Sequence, residues 1–486
     1  MRNLTLLTDL YQLTMGYGFY RHNKHEEEVV FDLFFRRNSL ITYSIAAGLQ
    51  QAVEYLLNWH FDDEDIAYLR SLHLFDEDFL AYLKNMRFTG NVYAVREGEP
   101  VFPGEPILTV RAPLIQAQFA ETALLNIINH QTLIATKSSK ICRATGGQGA
   151  VMEFGLRRAQ GPDAGINGAR AAVIGGCSST SNVLAAKMFD IPVAGTMAHS
   201  WVMDYPTEYD AFRAYANAYP DSCMLLVDTY DTLRSGVPNA IKVFKELKAE
   251  GHQPKGIRLD SGDLAYLSKE ARRMMDEAGF PEAIICVSGD LDERSISSLL
   301  QQGAKIDSWG VGTKLITSED LPALGGVYKL SAVIEKDGSV TPKIKLSDNT
   351  VKITNPSFKT LYRLYDKDNG MAIADLITLH DEEVDENQPL TLFDPVETWR
   401  DHEVENFRAE KLQYTIVENG KLVYEFPTLK EVAAFSKAEL SKFWEEYLRL
   451  DVPQLYKVDL SKKLHTLKID MIDKIRKNAK KGKNND

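Results

Sequence analysis

Only four cysteines stand among the 486 residues. Cys142, Cys177, Cys223 and Cys286 are widely spaced and form no C-x-x-C. A disulfide-stapled secreted fold and a cysteine-based metal site are therefore not expected. No apolar run approaches the roughly 18 residues that span a bilayer. Residues 1–10 lack the cationic start and long apolar stretch of a secretion signal. A reduced cytoplasmic protein without a membrane partner is the expectation. Nucleotide motifs are missing too. There is no G-x-x-x-x-G-K-[ST], and Gly310-Val311-Gly312 lacks the third glycine of a dinucleotide fingerprint because Leu315 takes its place. Neither H-E-x-x-H nor H-x-E with C-x-x-C points to zinc. Positive charge is also short, the net being −12. Residues 461–486 hold nine Lys/Arg against three Asp/Glu, so the rest of the chain is more acidic still. Phosphate affinity comes from clustered Lys and Arg, so nucleic acid is not an expected partner. The basic tail reads as a solvated helical end.

What is present is globular. Hydrophobic residues make up 44% and charged residues 26%, and a chain of this length could bury about three quarters of its surface. Three regions differ in pattern. Residues 1–137 mix helical spacing (9–19, 47–59, 64–72) with strand-like runs (29–35 and two strands within 91–112), then a long apolar helix over 114–134. Residues 138–334 repeat a short β-rich run, a small or polar turn and a helix. The runs are 150–154, 191–195, 224–227, 256–259, 284–287 and 306–309, with helices over 240–250, 264–278 and 292–302 between them. That alternation predicts parallel β/α units. Ser-Gly-Asp-Leu occurs twice, from Ser261 and from Ser288, and reads as two equivalent βα turns of a barrel. Residues 335–486 return to alternating strands (340–346, 360–366, 372–379), an acidic loop over 381–386, a hairpin around Asn419-Gly420 and closing helices. The fold class is α/β, with a mixed sheet region packed on the β/α part.

In a β/α barrel the working groups stand at the carboxyl ends of strands. Those ends carry Glu153, Phe154, Arg157, Thr196, His199, Asp228, Arg258, Asp260, Asp263, Ser288, Gly289, Asp290, Gly310, Gly312 and Thr313. Glycine turns leave backbone N–H groups bare for phosphate. Carboxylates beside them suit Mg²⁺, which reaches a protein through one or two acids plus substrate phosphates. A cation inside the apolar run Gly-Ile-Arg258-Leu-Asp260 is costly to bury without an anionic partner, and Asp260 is one candidate. Glycines that only close tight turns, a His199 that is only a core histidine, and a structural Arg258–Asp260 pair are the plainer readings. The Cys177-Ser178-Ser179-Thr180-Ser181 run offers hydroxyls, and reads as the cap of a helix over 182–189 or as a ligand contact.

Five motifs, in order, carry a resemblance. They are Thr8-Asp9-Leu10-Tyr11-Gln12-Leu13-Thr14-Met15, Glu153-Phe154-Gly155-Leu156-Arg157-Arg158-Ala159, Gly195-Thr196-Met197-Ala198-His199-Ser200, Ile257-Arg258-Leu259-Asp260-Ser261-Gly262-Asp263-Leu264 and Trp309-Gly310-Val311-Gly312-Thr313. Together they resemble the nicotinate phosphoribosyltransferase family from near residue 4 to about residue 430. The cysteine cluster that some members carry near the C-terminus is absent, so no metal is implied there.

The resemblance implies a type II phosphoribosyltransferase, an irregular α/β barrel with an additional mixed sheet domain from the N- and C-terminal regions, working as a homodimer. It implies joining of nicotinate to phosphoribosyl diphosphate with coupled ATP hydrolysis, a C–N ligase reaction of NAD salvage. Tyr11 and Phe154 would stack on the pyridine ring, Arg258 would hold its carboxylate, and Thr196 would lie nearby. Gly289 and Asp290, with Gly310, Gly312 and Thr313, would take phosphates, assisted by Arg157. Asp228 and Asp260 would face Mg²⁺ or the ribose, and His199 would be transiently phosphorylated. Two other readings stay open. A nicotinamide-specific enzyme shares the scaffold but resembles a chain with an aspartate in the 177–181 run. A non-catalytic module binding anionic metabolites is the other.

Overall fold

The computed structural model describes residues 3–482 of the chain, which divide into two compact units. One comprises residues 133–322 with 429–433, and the other residues 1–132, 323–428 and 434–486. The helix Glu121–Ala144 runs from one into the other.

The first unit is built on a six-stranded sheet in the order Ser179–Thr180, Ala150–Glu153, Ser308–Val311, Ile284–Gly289, Gly256–Leu259, Met224–Leu226. Every adjacent pair in it is parallel, so the carboxyl ends of all six strands share one edge. Helices return the chain between strands, each burying an apolar stripe. Val237, Ala240, Val243, Phe244 and Leu247 are the buried positions of Val237–Ala249. Ala265, Ser268, Ala271 and Met275 are those of Leu264–Glu277, whose N-cap Asp263 accepts the Tyr266 N–H. Asp292 caps Glu293–Gln301 in a reciprocal pair with Ser295, which satisfies two helix-end donors at once. Lys137 Nζ, almost fully buried, bonds Glu293 and Asp320 at 2.9 Å each and so fixes the long helix within this unit.

Several expectations change. The run over 191–195 forms no strand; Val193 makes only a single bridge to Thr180, because Pro192 has no N–H to give a ladder. The strand at that edge is Ser179–Thr180, read from sequence as part of a cap. Asn182 caps Val183–Phe189 instead, accepting the Ala185 N–H. The two Ser-Gly-Asp-Leu segments are both βα turns but are out of step. Val287 pairs with Leu259, which sets Ser288 against Asp260, so the second copy enters its strand one residue deeper. Its helix is capped by Asp292 rather than by the Asp of the tetrapeptide.

The other unit holds two larger sheets. One is antiparallel throughout, in the order Val340–Pro342, Gly326–Ile334, Glu28–Phe35, Leu108–Pro113, Asn91–Val95, Gln413–Glu418, Lys421–Leu422. Gly326–Ile334 thus pairs along its length with Glu28–Phe35, which moves it out of the β/α region in which its sequence position set it. The second sheet is mixed, with Ala372–Leu379 parallel to Val458–Leu460 and antiparallel to Lys359–Asp366. Its core gathers Leu364, Ala374, Leu376, Leu392, Val404 and Phe407. Arg363 is wholly buried there and bridges Asp375 at 2.7 Å and Glu99 at 2.5 Å. The expected strand over 340–346 is only Val340–Pro342.

The basic tail is the helix Lys462–Gly482, and residues 483–486 lie outside the described residues. It is not simply solvated, since Leu464, Lys468 and Ile472 are buried at helical spacing. Lys468 Nζ donates to Asn355 Oδ1 and the Pro395 carbonyl, and burial pushes its ammonium down to about 8.

Candidate functional site

The carboxyl edge of the parallel sheet brings together residues from six separate segments, 154–157, 196–199, 228, 258–261, 288–290 and 310–313. Arg258 projects from Gly256–Leu259 with its side chain 15% exposed and is bonded on every side. Its Nε donates to Ser288 Oγ at 2.8 Å, Nη1 to Thr196 Oγ1 and the Met197 carbonyl at 3.3 Å, and Nη2 to Asp260 Oδ1 at 2.7 Å. Ser288 also donates to Asp260 Oδ1. Burial acts to raise the Asp260 carboxyl, but the bonds from Ser288 and Arg258 and the guanidinium charge outweigh it, so it sits below the usual carboxylate range. Asp260 Oδ2 has no hydrogen-bond partner among the described residues.

Asp228, at the end of Met224–Leu226, is committed through both oxygens. Oδ1 meets His199 Nε2 at 3.1 Å, while Oδ2 accepts the Asp260 N–H and the Ser261 hydroxyl at 2.8 Å each. The Asp228 side chain is 2% exposed and that of His199 is 40% exposed. A histidine donating Nε2–H to a buried carboxylate presents Nδ1 with its lone pair, the arrangement that orients an imidazole for attack or proton transfer.

Phe154 follows Ala150–Glu153, and its N–H bonds the Val311 carbonyl. Its ring lies on the Cα of Gly310, where an added Cβ would come within 2.6 Å of two ring carbons; glycine is required there by close approach. The Arg258 guanidinium stands 5.8 Å from the ring centroid, within the range of a cation–π contact. Gly289, at φ +116, is the other turn that demands glycine, since a Cβ would meet the Asp260 carbonyl at 2.7 Å. Ser288 and Gly310 are register partners, so the turns bearing Gly289 and Asp290 and bearing Gly312 and Thr313 end adjacent strands. Arg157 sits on the exposed turn Leu156–Arg158, with no ion pair among the described residues.

Three residues of this edge have no role that the sequence alone assigns. Glu153, wholly buried, accepts from the Gly155 N–H and from the Thr180 hydroxyl. Thr180 was seen only as one hydroxyl in a run. Ser288 was noted as a strand end but given no task; its place opposite Asp260 needs the register, which no local pattern carries. Tyr11 belongs to the other unit, on the helix Leu10–Arg21. It is 47% exposed and lines a cavity of about 640 Å³ with Met15, Phe31, Gln118, Glu121 and Tyr328. Among the described residues there is no cluster of three or more His, Cys, Asp or Glu able to hold a metal by themselves. No helix among them is long and apolar enough to cross a membrane.

A parallel sheet whose carboxyl edge carries an arginine, acids, a carboxylate-held histidine and glycine turns is the arrangement of an α/β enzyme site for small molecules. The chain belongs to the nicotinate phosphoribosyltransferase family. Residues 6–129 match the nicotinate phosphoribosyltransferase N-terminal domain, 150–385 the nicotinate phosphoribosyltransferase family and 358–468 the nicotinate phosphoribosyltransferase C-terminal domain. The chain is 49% identical over 475 residues to the nicotinate phosphoribosyltransferase of Bacillus subtilis, covering 98% of this chain and 96% of that one. It is 33% identical over 520 residues to the human nicotinate phosphoribosyltransferase, covering 95% of each. The crystal structure of human nicotinic acid phosphoribosyltransferase superposes with a TM-score of 0.85 at 31% identity, over 95% of this chain and 99% of that one. A nicotinate-nucleotide pyrophosphorylase from Pyrococcus furiosus shares the fold, with a TM-score of 0.68 at 22% identity over 90% and 96%.

Proposed function

We propose that this chain joins nicotinate to phosphoribosyl diphosphate, releasing diphosphate and forming nicotinate mononucleotide, with ATP hydrolysis coupled to the transfer. The observation that carries this reading is Arg258 beside Phe154. A guanidinium next to an aromatic face, with Thr196 at hand, matches a flat ring bearing a carboxylate. The hydroxyl run over 177–181, where a nicotinamide-specific relative is expected to carry an aspartate, agrees with an acid rather than an amide.

In the reaction the pyridine nitrogen supplies an electron pair to the anomeric carbon as the bond to diphosphate breaks. Positive charge develops on the sugar and negative charge on the leaving group. Backbone donors at Gly289, Asp290, Gly312 and Thr313, with Arg157, are suited to receive that negative charge. Gly310, inside a strand paired on both sides, instead supports the Phe154 ring, and Phe154 with Arg258 aligns the pyridine ring. When bound, Mg²⁺ supplies neutralising charge at the diphosphate. The free Oδ2 of Asp260 fits it, as Mg²⁺ needs few protein ligands beyond phosphates and water. Asp228, with both oxygens engaged, fits better as the anchor of His199 and of the Asp260 turn. His199 Nδ1 would accept the γ-phosphoryl of ATP, forming an N–P bond as ADP leaves, and water would later release phosphate. This gives ATP a role without a P-loop. The irregular barrel, the cytoplasmic setting and a two-fold dimer in which Tyr11 reaches the partner's ring site belong to the same reading; exposed Leu7, Leu10 and Met15 beside Tyr11 agree with a covered surface. A competition assay tests substrate choice. With nicotinate and nicotinamide at equal concentration, mononucleotide should form from nicotinate; product mainly from nicotinamide would overturn the assignment.

A further inference from the structure

We propose that Glu153 is a positioning residue for the aromatic substrate, tying the Phe154 turn to the Thr180 strand so that the ring platform is held in one place. This rests on the nicotinate reading given above. Glu153 ends Ala150–Glu153, is 0% exposed and faces no cation at salt-bridge distance among the described residues. A buried carboxylate without a cation is costly. Burial duly pushes its carboxyl above the usual range, against the lowering effect of bonds from Thr180 and the Gly155 N–H. A residue kept at such a cost has a geometric task, and its contacts state it.

Two donors from different segments converge on this side chain. The Gly155 N–H binds Oε1, and the Thr180 hydroxyl binds Oε2 at 2.6 Å. Thr180 Oγ1 in turn accepts the Asn182 N–H at 3.0 Å, and the Asn182 side chain donates to the Gly165 carbonyl at 3.1 Å and caps the helix Val183–Phe189. Gly155 leaves no slack, since a Cβ there would stand 2.5 Å from Ile316 Cβ. Phe154, between Glu153 and Gly155, therefore has its backbone held on both sides while its ring rests on Gly310. Only an acceptor-only group can receive both donors; a glutamine in the same shape offers one oxygen and one NH₂. The chain Gly155, Glu153, Thr180, Asn182 thus carries directional information that an amide would reverse at one link.

The test compares E153Q, T180V and the double variant, reading the KM for nicotinate, the KM for phosphoribosyl diphosphate, kcat, calorimetric nicotinate binding and Tm. E153Q should raise the KM and the dissociation constant for nicotinate about tenfold, the scale of one charge-assisted hydrogen bond. The KM for phosphoribosyl diphosphate should stay within about twofold, and Tm should hold or rise because an unpaired buried charge is removed. T180V removes the bonds to Glu153 and from Asn182 together, and E153Q interrupts the same chain, so the double variant should be no worse towards nicotinate than the poorer single variant. The proposal is overturned if E153Q binds nicotinate as the wild type does. It is equally overturned if E153Q lowers Tm and moves both KM values together, the mark of a merely structural acid. If the wild type itself neither binds nor converts nicotinate, the functional reading falls and with it the ligand named here, a result distinct from a wild-type-like E153Q.

Discussion

Replacing Arg258 by lysine keeps the charge and removes the fork. In the native site the guanidinium makes a bond of 2.8 Å to Ser288, one of 2.7 Å to Asp260 and two longer ones of 3.3 Å to Thr196 and Met197. A lysine ammonium is a compact, hydrated point charge that can keep the Asp260 contact but cannot also serve Ser288 and Thr196 in one plane. The 2.8 Å bond is charge-assisted and worth about 1.5–3 kcal/mol, and the bonds at 3.3 Å add less. A loss of about 2–3 kcal/mol of transition-state stabilisation follows, roughly 30- to 160-fold in kcat/KM for nicotinate. The assay is steady-state formation of mononucleotide by R258K from nicotinate and from nicotinamide, with Tm measured alongside. Nicotinate turnover should fall by that factor, and the preference over nicotinamide should narrow, because the carboxylate has lost the one guanidinium N–H that the four bonds of Arg258 leave free. A variant that is folded, slower by the same factor on both bases and unchanged in preference would place carboxylate recognition somewhere other than Arg258.

Other consequences are as direct. His199→Ala should abolish ATP stimulation and nicotinate-linked ATP hydrolysis while slow mononucleotide formation persists; ATP hydrolysis at the normal rate would remove His199 from the ATP step. Tyr11→Ala and Arg258→Ala, each inactive alone, should recover about a quarter of wild-type activity after subunit exchange, because half the dimers are mixed and each has one intact site. No recovery, with exchange verified by mass, would put each site within one chain. The acid Glu99, beside buried Arg363, gives a pH signature. Burial pushes it up to about 7 although the Arg363 charge pulls the other way. A raised carboxyl stabilises the fold below its unfolded value near 4.5, and that contribution is lost as pH rises through 7. Tm should therefore fall from pH 5 to pH 7.5 in the wild type and fall less in E99Q; identical slopes would argue that Glu99 stays ionised throughout.

Much of the site was legible because its residues follow their strands directly. Arg258 and Asp260 stand two apart around a strand end, and Asp228 follows Met224–Leu226 almost at once, so a reading of strand ends finds them. The glycine turns were legible for the same reason, and Gly310 and Gly289 carry physical reasons to be glycine. What escaped depends on pairing across the sheet. Ser288 faces Asp260 only through the parallel register of Ile284–Gly289 with Gly256–Leu259, and Thr180 reaches Glu153 only because a two-residue strand joins the edge. Two residues are too few to show a period. The run over 191–195 misled in the opposite sense, as its apolar content resembles a strand while Pro192 withholds a donor. Gly326–Ile334 falls by sequence position within the β/α region, while its partner, Glu28–Phe35, lies some 300 residues earlier in the chain, a distance no local signal spans.

The most direct measurement is incubation of the purified protein with labelled nicotinate, phosphoribosyl diphosphate and Mg²⁺, with and without ATP, followed by separation of the products. Nicotinate mononucleotide and diphosphate should appear in equal amounts, faster with ATP, and ADP should accumulate only when nicotinate is present. Failure to form the mononucleotide under either condition, with nicotinate recovered unchanged, would contradict the assignment of phosphoribosyl transfer to this chain.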